Sequence, residues 1–121
     1  MKDTVDITSL INEINAFVKE RDWEQYHTPK NLAISLSIEA NELLENFQWE
    51  NPSFQEIKKD EKKLKAISYE IADIIIYLLR FIQHLDLDFE EIVREKLAIN
   101  KEKYPAEKCR GKADKYHAYL K

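Results

Sequence analysis

Glycine is nearly absent. The 121 residues contain one, Gly111, near the C-terminus. A P-loop and a Rossmann fingerprint both need several glycines to bring backbone amides close to phosphate. Both are excluded, so a nucleotide bound here must have its phosphates held by side chains and metal. Cysteine is equally scarce. Cys109 stands alone, so no internal disulfide forms; a reducing cytoplasm is the expected setting, and nothing nearby suggests an activated thiol. No apolar run reaches the ~18 residues of a membrane span, and "MKDTVDITSL" does not read as a signal peptide. Basic residues are not in excess, since 19 Lys+Arg against 23 Asp+Glu leave a net charge of −4. Duplex nucleic acid and anionic membranes are therefore not expected as partners. With three prolines and one glycine there is little to interrupt helices, and long ones are expected.

What is present fits a single domain over 1–121 with one modest core, 44% apolar and 35% charged. Ile7, Leu10, Ile11, Ile14, Phe17 and Val18 have helical spacing and predict a helix over 7–21. Thr28 is set to cap a second helix, with Pro29 at its first position, running to about Gln48. Ser53 can cap a short lead-in. A third main helix is expected over about 60–84, carrying Leu64, Ile67, Ile71, Ile74, Ile75, Leu78 and Phe81. "DLD" breaks it, Asp88 can cap a fourth over about 89–103, and "KYP" stops that one. The stretch 105–121 reads as a polar tail with a possible last turn around "KYHAYL". No segment alternates convincingly with period two. The fold class expected is all-α, a bundle of about four main helices. The third is apolar on more than one side, which suggests burial against a second copy of the chain in a dimer or tetramer, although a buried central helix within one protomer reads the same way.

The acids of "SIEANELLENFQW" are unusual. Glu39 and Glu42 lie three apart on one helical face, among Ile38, Leu43, Leu44 and Phe47. "YEIADIIIYL" repeats the device with Glu70 and Asp73. Surface acids on helices usually have basic neighbours three or four positions away, as Glu61 has Lys65 and Glu90 has Arg94. None of the four has one. Acids in that setting raise one another's pKa or recruit a cation. Carboxylate oxygens select a hard ion, Mg²⁺ or Mn²⁺, over zinc. A di-iron bundle would need Glu-x-x-His on two helices. Glu24-Gln25-Tyr26-His27 has that spacing once, at a helix end, and neither Glu39 nor Glu70 is followed by such a histidine.

Glu39-x-x-Glu42, a spacer of 27 residues, then Glu70-x-x-Asp73 resembles the signature of the all-α nucleoside triphosphate pyrophosphohydrolases of the MazG type. The flanks resemble the dCTP pyrophosphatase branch, through "RDWEQYHTPKNLAISLSIEANELLENFQW", "EIADIIIYLL" and "KLAINKEKYPAEKCRGKADKY". The resemblance implies a bundle completed by homo-oligomerisation. It implies hydrolysis between the α and β phosphates of a nucleoside triphosphate, giving monophosphate and pyrophosphate, in a housecleaning role. It implies that Glu39, Glu42, Glu70 and Asp73 hold Mg²⁺ and carry the chemistry, with one of them or Glu45 taking the proton from water. Trp23, His27, Trp49 and Tyr77 fall where that branch builds its base pocket, and Lys96 and Asn100 where it contacts the nucleotide. A first-helix histidine that some members carry is missing from Leu10–Asn15, so a dCTP-like substrate is expected beside other pyrimidine or modified deoxynucleotides. The alternative is a non-catalytic helical dimer that binds a nucleotide or a protein.

Overall fold

The computed structural model describes residues 4–113, and among these there are helices and turns but no strand. The order is α1 (Ile7–Glu20), a 3-10 turn (Glu24–Tyr26), α2 (Pro29–Glu45), α3 (Phe54–Lys59), α4 (Glu61–His84), α5 (Phe89–Lys103) and α6 (Ala106–Cys109). The all-α class and the main helices follow the sequence reading. The 3-10 turn and α6 add to it, α6 falling at the start of what reads as a polar tail. The turn expected at "KYHAYL" lies outside the described residues.

Side-chain caps set most of the starts. Asp6, Thr28, Ser53, Asp60 and Asp88 each accept a hydrogen bond from the amide three residues on, opening α1 to α5. Each such cap is worth about 1 kcal/mol. Ser53 and Glu56 complete a reciprocal capping box. Pro29 follows Thr28 at the first helical position, where its missing N–H costs nothing. The stops are equally local. α2 ends at Glu45, short of Gln48, because Asn46 turns its side-chain amide back onto the carbonyls of Glu42 and Leu43 at 3.2 and 3.3 Å. Asn46, Phe47 and Gln48 then continue as turns bonded three residues back. Beyond α1 and α4, Asp22 (φ 54°) and Asp86 (φ 52°) take left-handed conformations, which short polar side chains tolerate better than most.

The chain divides into two compact units, Met1–Leu85 and Asp86–Lys121. In the first, α1, α2 and α3 all pack on α4. Val18, Leu32, Ile57, Ile67, Leu79 and Ile82 are buried there. Burying a side chain of this kind contributes roughly 1.5–3 kcal/mol. Lys63 ties the connection after α2 to α4: its Nζ donates to the Asn46 carbonyl at 3.2 Å and pairs with Glu50. Apolar surface remains open on the same helices. Ile34 and Ile38 on α2 are each 50% exposed, and Ile71 and Ile75 on α4 are 44% and 47% exposed. In the second unit, α5 carries Glu90 and Glu91 in its first turn and Lys101 and Lys103 in its last, matching the helix dipole at both ends. Glu90 pairs with Arg94 at 3.4 Å, as their spacing predicts. Among the described residues no helix is long and apolar enough to cross a membrane.

Candidate active site

One face of α4 organises the site. Glu70, Asp73, Tyr77, Arg80 and His84 are spaced three, four, three and four apart, so they line up along the helix. Acids occupy the N-terminal part of that row, and an arginine between polar partners occupies the C-terminal part.

At the acidic end, α2 supplies Glu39 opposite Glu70 and Asp73. Each of the three offers a carboxylate oxygen, and these oxygens lie within 4.8 Å of one another. All three residues are half-buried. Oε2 of Glu39 and Oε2 of Glu70 are buried without a hydrogen-bond partner. Burial first, then hydrogen bonding with Glu70 and Glu42, then the charges of Glu42 and Asp73, push the Glu39 carboxyl up to about 7. The ion pairs Arg21–Glu20, Lys63–Glu50, Arg80–Glu24 and Arg94–Glu90 leave these acids out. Buried acceptors without donors are what a cation site looks like before its ion is added, and an all-oxygen donor set suits a hard divalent ion. Glu42 is exposed and stands outside the group of three. It lines a neighbouring cleft of about 310 Å³ with Glu45, Asn46, Ala66 and Glu70. Glu70 thus faces both the acid cluster and the cleft.

Asp73 opens in the other direction onto a cavity of about 520 Å³. Phe17, Trp23 and Tyr77 give it aromatic walls, and Leu10, Ile14 and Ile76 give it aliphatic ones. Phe17 and Trp23 meet edge to face, 5.7 Å between centroids at 75°, and Arg21 covers the Phe17 ring at 3.8 Å. Besides the Trp23 indole N–H and the Tyr77 hydroxyl, the polar side chains on the lining are Glu13, His27, Asp73 and Arg80.

Among the described residues Arg80 is the most buried polar one, 1% exposed. Its Nε donates to His27 Nδ1 at 3.1 Å, and Nη1 donates to Asn15 Oδ1 at 2.6 Å and Gln83 Oε1 at 3.2 Å. Nη2 stands 2.9 Å from His84 Nε2 and 4.0 Å from the Glu24 carboxylate. Burial lowers the Arg80 pKa, and Glu24 opposes that. Burial, then the charge of Arg80 and the neighbouring His84, lower the His27 pKa against the pull of Glu24.

The sequence-predicted residues thus fall into groups. Glu39, Glu70 and Asp73 converge, and Glu42 flanks them. Trp23, His27 and Tyr77 share the cavity with Asp73. Trp49 does not line it and is 88% exposed. Lys96, exposed, and Asn100, half-buried, lie on α5 in the second unit. Sequence reasoning missed Arg80, Asn15 and Glu13. Arg80 did leave a signal, as the one arginine inside the apolar run "IIIYLLRFI", in the helical row of Glu70, Asp73 and Tyr77.

The fold is an all-α one that gathers half-buried acids from two helices, a group that could hold a metal ion, beside an aromatic cavity. The profile of the MazG-like family matches residues 34–118, and the chain belongs to that family. It is 38% identical over 103 residues to dCTP pyrophosphatase 1 of Rattus norvegicus, covering 83% of this chain and 59% of that protein. With dCTP pyrophosphatase 1 of Bos taurus the identity is 40% over 103 residues, covering 83% of this chain and 60% of the relative. The chain therefore spans about three fifths of the length of these relatives. A crystal structure of a pyrophosphatase from Archaeoglobus fulgidus superimposes with a TM-score of 0.74 at 39% identity, covering 87% of this chain and 97% of that one.

Proposed function

We propose that this chain is a Mg²⁺-dependent nucleoside triphosphate pyrophosphohydrolase, acting on dCTP or a close analogue and releasing monophosphate and pyrophosphate. The observation that carries the reading is the position of Asp73. It belongs both to the acid cluster and to the aromatic cavity, so phosphate chemistry and base recognition meet at one side chain. The names of the relatives, dCTP pyrophosphatase and pyrophosphatase, agree with that chemistry.

Glu39, Glu70 and Asp73, with Glu42 beside them, are the residues that would hold Mg²⁺; Mn²⁺ suits the same oxygens. Held there, the ion would supply charge neutralisation for the phosphates and activation of a water for in-line attack at phosphorus. The chain's own part is positional. Trp23 and Tyr77 hold a flat ring between the walls of the cavity. The apolar lining excludes water around it. A carboxylate near the acid cluster takes the proton that the attacking water loses. The open apolar stripe of Ile34, Ile38, Ile71 and Ile75 supports a homo-oligomer, because a monomer would leave it in water.

The deciding experiment is a panel of nucleoside triphosphates with Mg²⁺, with products separated as pyrophosphate or orthophosphate. Pyrophosphate and monophosphate are expected, with dCTP among the best substrates. Orthophosphate release, or binding without turnover across the panel, would overturn the proposal.

A further inference from the structure

A cavity that reads a nucleobase needs hydrogen-bonding groups of fixed polarity, and an imidazole is ambiguous by nature. Either nitrogen carries the proton, and the ring turns over without changing its outline. His27 has lost that freedom. Arg80 donates through Nε to His27 Nδ1 at 3.1 Å, and a guanidinium has no acceptor to offer. Nδ1 must therefore be the unprotonated nitrogen, and the proton sits on Nε2. The donor is itself immobile. Asn15, Gln83 and His84 hold the other guanidinium nitrogens from α1 and α4, and the side chain is buried.

We propose that Arg80 is a positioning residue for base selection: it fixes the orientation and tautomer of His27, so that the cavity wall presents a donor at Nε2 together with the acceptor carboxylate of Glu13. Both His27 and Glu13 line the cavity. This inference rests on the nucleotide reading above and adds the polarity of the pocket to it. An acceptor paired with a donor suits a base edge with an exocyclic amine beside an unprotonated ring nitrogen. Cytosine has that edge, and so does adenine. In that register the Watson–Crick edges of thymine, uracil and guanine set a carbonyl on the Glu13 carboxylate and a ring N–H on the His27 N–H, so acceptor would face acceptor and donor would face donor. Glu13 is exposed and His27 half-buried in the empty cavity, so a mismatched base would cover both without pairing them, which discriminates more strongly than a change of shape. The lowered pKa of His27 is consistent with the scheme, because a protonated ring would have no acceptor left for Arg80.

Three variants of the full-length chain test it: Arg80→Met, His27→Asn and His27→Gln. Asparagine keeps an acceptor for Arg80 but has no reach to the Nε2 position, whereas glutamine extends a donor to it. The wild type should prefer amino-edged nucleotides. His27→Asn should raise KM for the best of them by about tenfold, with a much smaller change in kcat, and should flatten the ranking of bases. His27→Gln should recover part of both. Long-range ¹H–¹⁵N correlation of the imidazole supplies a readout that packing alone would not move. In the wild type Nδ1 should appear as an acceptor-type nitrogen and Nε2 as an N–H nitrogen. In Arg80→Met the two should move toward each other as tautomers exchange. If Arg80→Met fails to fold, the two His27 variants still decide the matter. A folded His27→Asn with wild-type KM and ranking overturns the proposal, and so does a wild type with its proton on Nδ1. A wild type that favours dTTP, dUTP or dGTP overturns the assigned polarity. No turnover of any nucleotide by the wild type would instead bring down the nucleotide reading itself, while the nitrogen spectrum would still report whether Arg80 fixes His27.

Discussion

Glu39 on α2 and Glu70 on α4 bring carboxylate oxygens within 4.8 Å of each other, and each buries its Oε2 without a hydrogen-bond partner. Two helices have been packed so that like charges converge, an arrangement that opposes folding unless something else occupies the space between them. Function should therefore suffer when one acid is neutralised, and stability should not. Glu70→Gln and Asp73→Asn are each expected to cut kcat/KM by two decades or more. That corresponds to the several kcal/mol a held metal ion contributes, at ~1.4 kcal/mol per decade. Their melting temperatures without Mg²⁺ should equal or exceed the wild type's. Retained turnover in either variant would remove that residue from the site.

The raised pKa of Glu39 gives the metal-free protein a pH signature. Folding lifts this carboxyl from its ordinary 4.5 to about 7. Between those values the folded chain binds more protons than the unfolded one, so this contribution to stability is present below 4.5 and is lost as pH rises through 7. Mg²⁺ competes with that proton. The rise in melting temperature on adding Mg²⁺ should be larger at about pH 8 than at about pH 6. Thermal melts with chelator and with excess Mg²⁺ across that range provide the check, and an equal shift at both pH values would contradict it.

His27 has the opposite sign. Its pKa is lowered from 6.5 by burial first, then by Arg80 and His84, with Glu24 opposing. Below 6.5 the unfolded chain takes up the proton before the folded one does, so stability falls as the pH drops toward the folded pKa. The two effects overlap, and Glu39→Gln separates them. In that background the melting temperature should hold steady at neutral pH and decline on acidification below 6.5. Adding His27→Asn should remove the decline from this source.

Exposed apolar side chains on α2 and α4 predict association. Light scattering at micromolar concentration should give a mass that is a multiple of 14.4 kDa. Ile38→Glu or Ile75→Glu, at positions that are 50% and 47% exposed, should lower that mass without disturbing the protomer's core. A wild-type mass of 14.4 kDa would refute the expectation.

Trp49 separates stability from recognition in another way. At 88% exposure it contributes little to the packing of its own protomer. Trp49→Ala should therefore leave protomer stability within about 0.5 kcal/mol. If the tryptophan stacks on the base, its loss should lower kcat/KM by one to two decades, from roughly 1–3 kcal/mol of stacking. Running the nucleotide panel and a melt on the same variant checks both. Wild-type kinetics would exclude it from the base site.

The helices were legible because their signals are local. Thr28-Pro29, Ser53 with Glu56, and Asp88 each state a start in one or two residues. The acid pairs were legible for the same reason: a spacing of three on a helix fixes a shared face without knowledge of the fold. The end of α2 was less so, because Asn46 folding back on Glu42 and Leu43 competes with three more residues of apparent helix. Arg80 stayed hidden because its meaning is wholly tertiary. Its partners Asn15 and His27 lie 65 and 53 residues away, and no periodicity encodes such a meeting. Glu13 reads as a solvated helical acid until a cavity forms beside it. Trp49 shows the limit from the other side, since aromatic character alone does not say which surface a ring will face.

The row Glu70, Asp73, Tyr77, Arg80 and His84 makes α4 a ruler. From Asp73 to Arg80 is seven residues, or about 10.5 Å at 1.5 Å per residue. On the proposed function, one rigid rod would fix the gap between the acid that meets the phosphate end and the guanidinium that sets the base-reading histidine. Ligands bound this way would be sorted by span as well as by chemistry, and a nucleotide whose phosphorus sits one linkage too near or too far would fail to register at both ends. Adding one residue between Asp73 and Arg80 would lengthen the rod by only about 1.5 Å, but it would turn the far end through about 100° and point the two halves of the site in different directions.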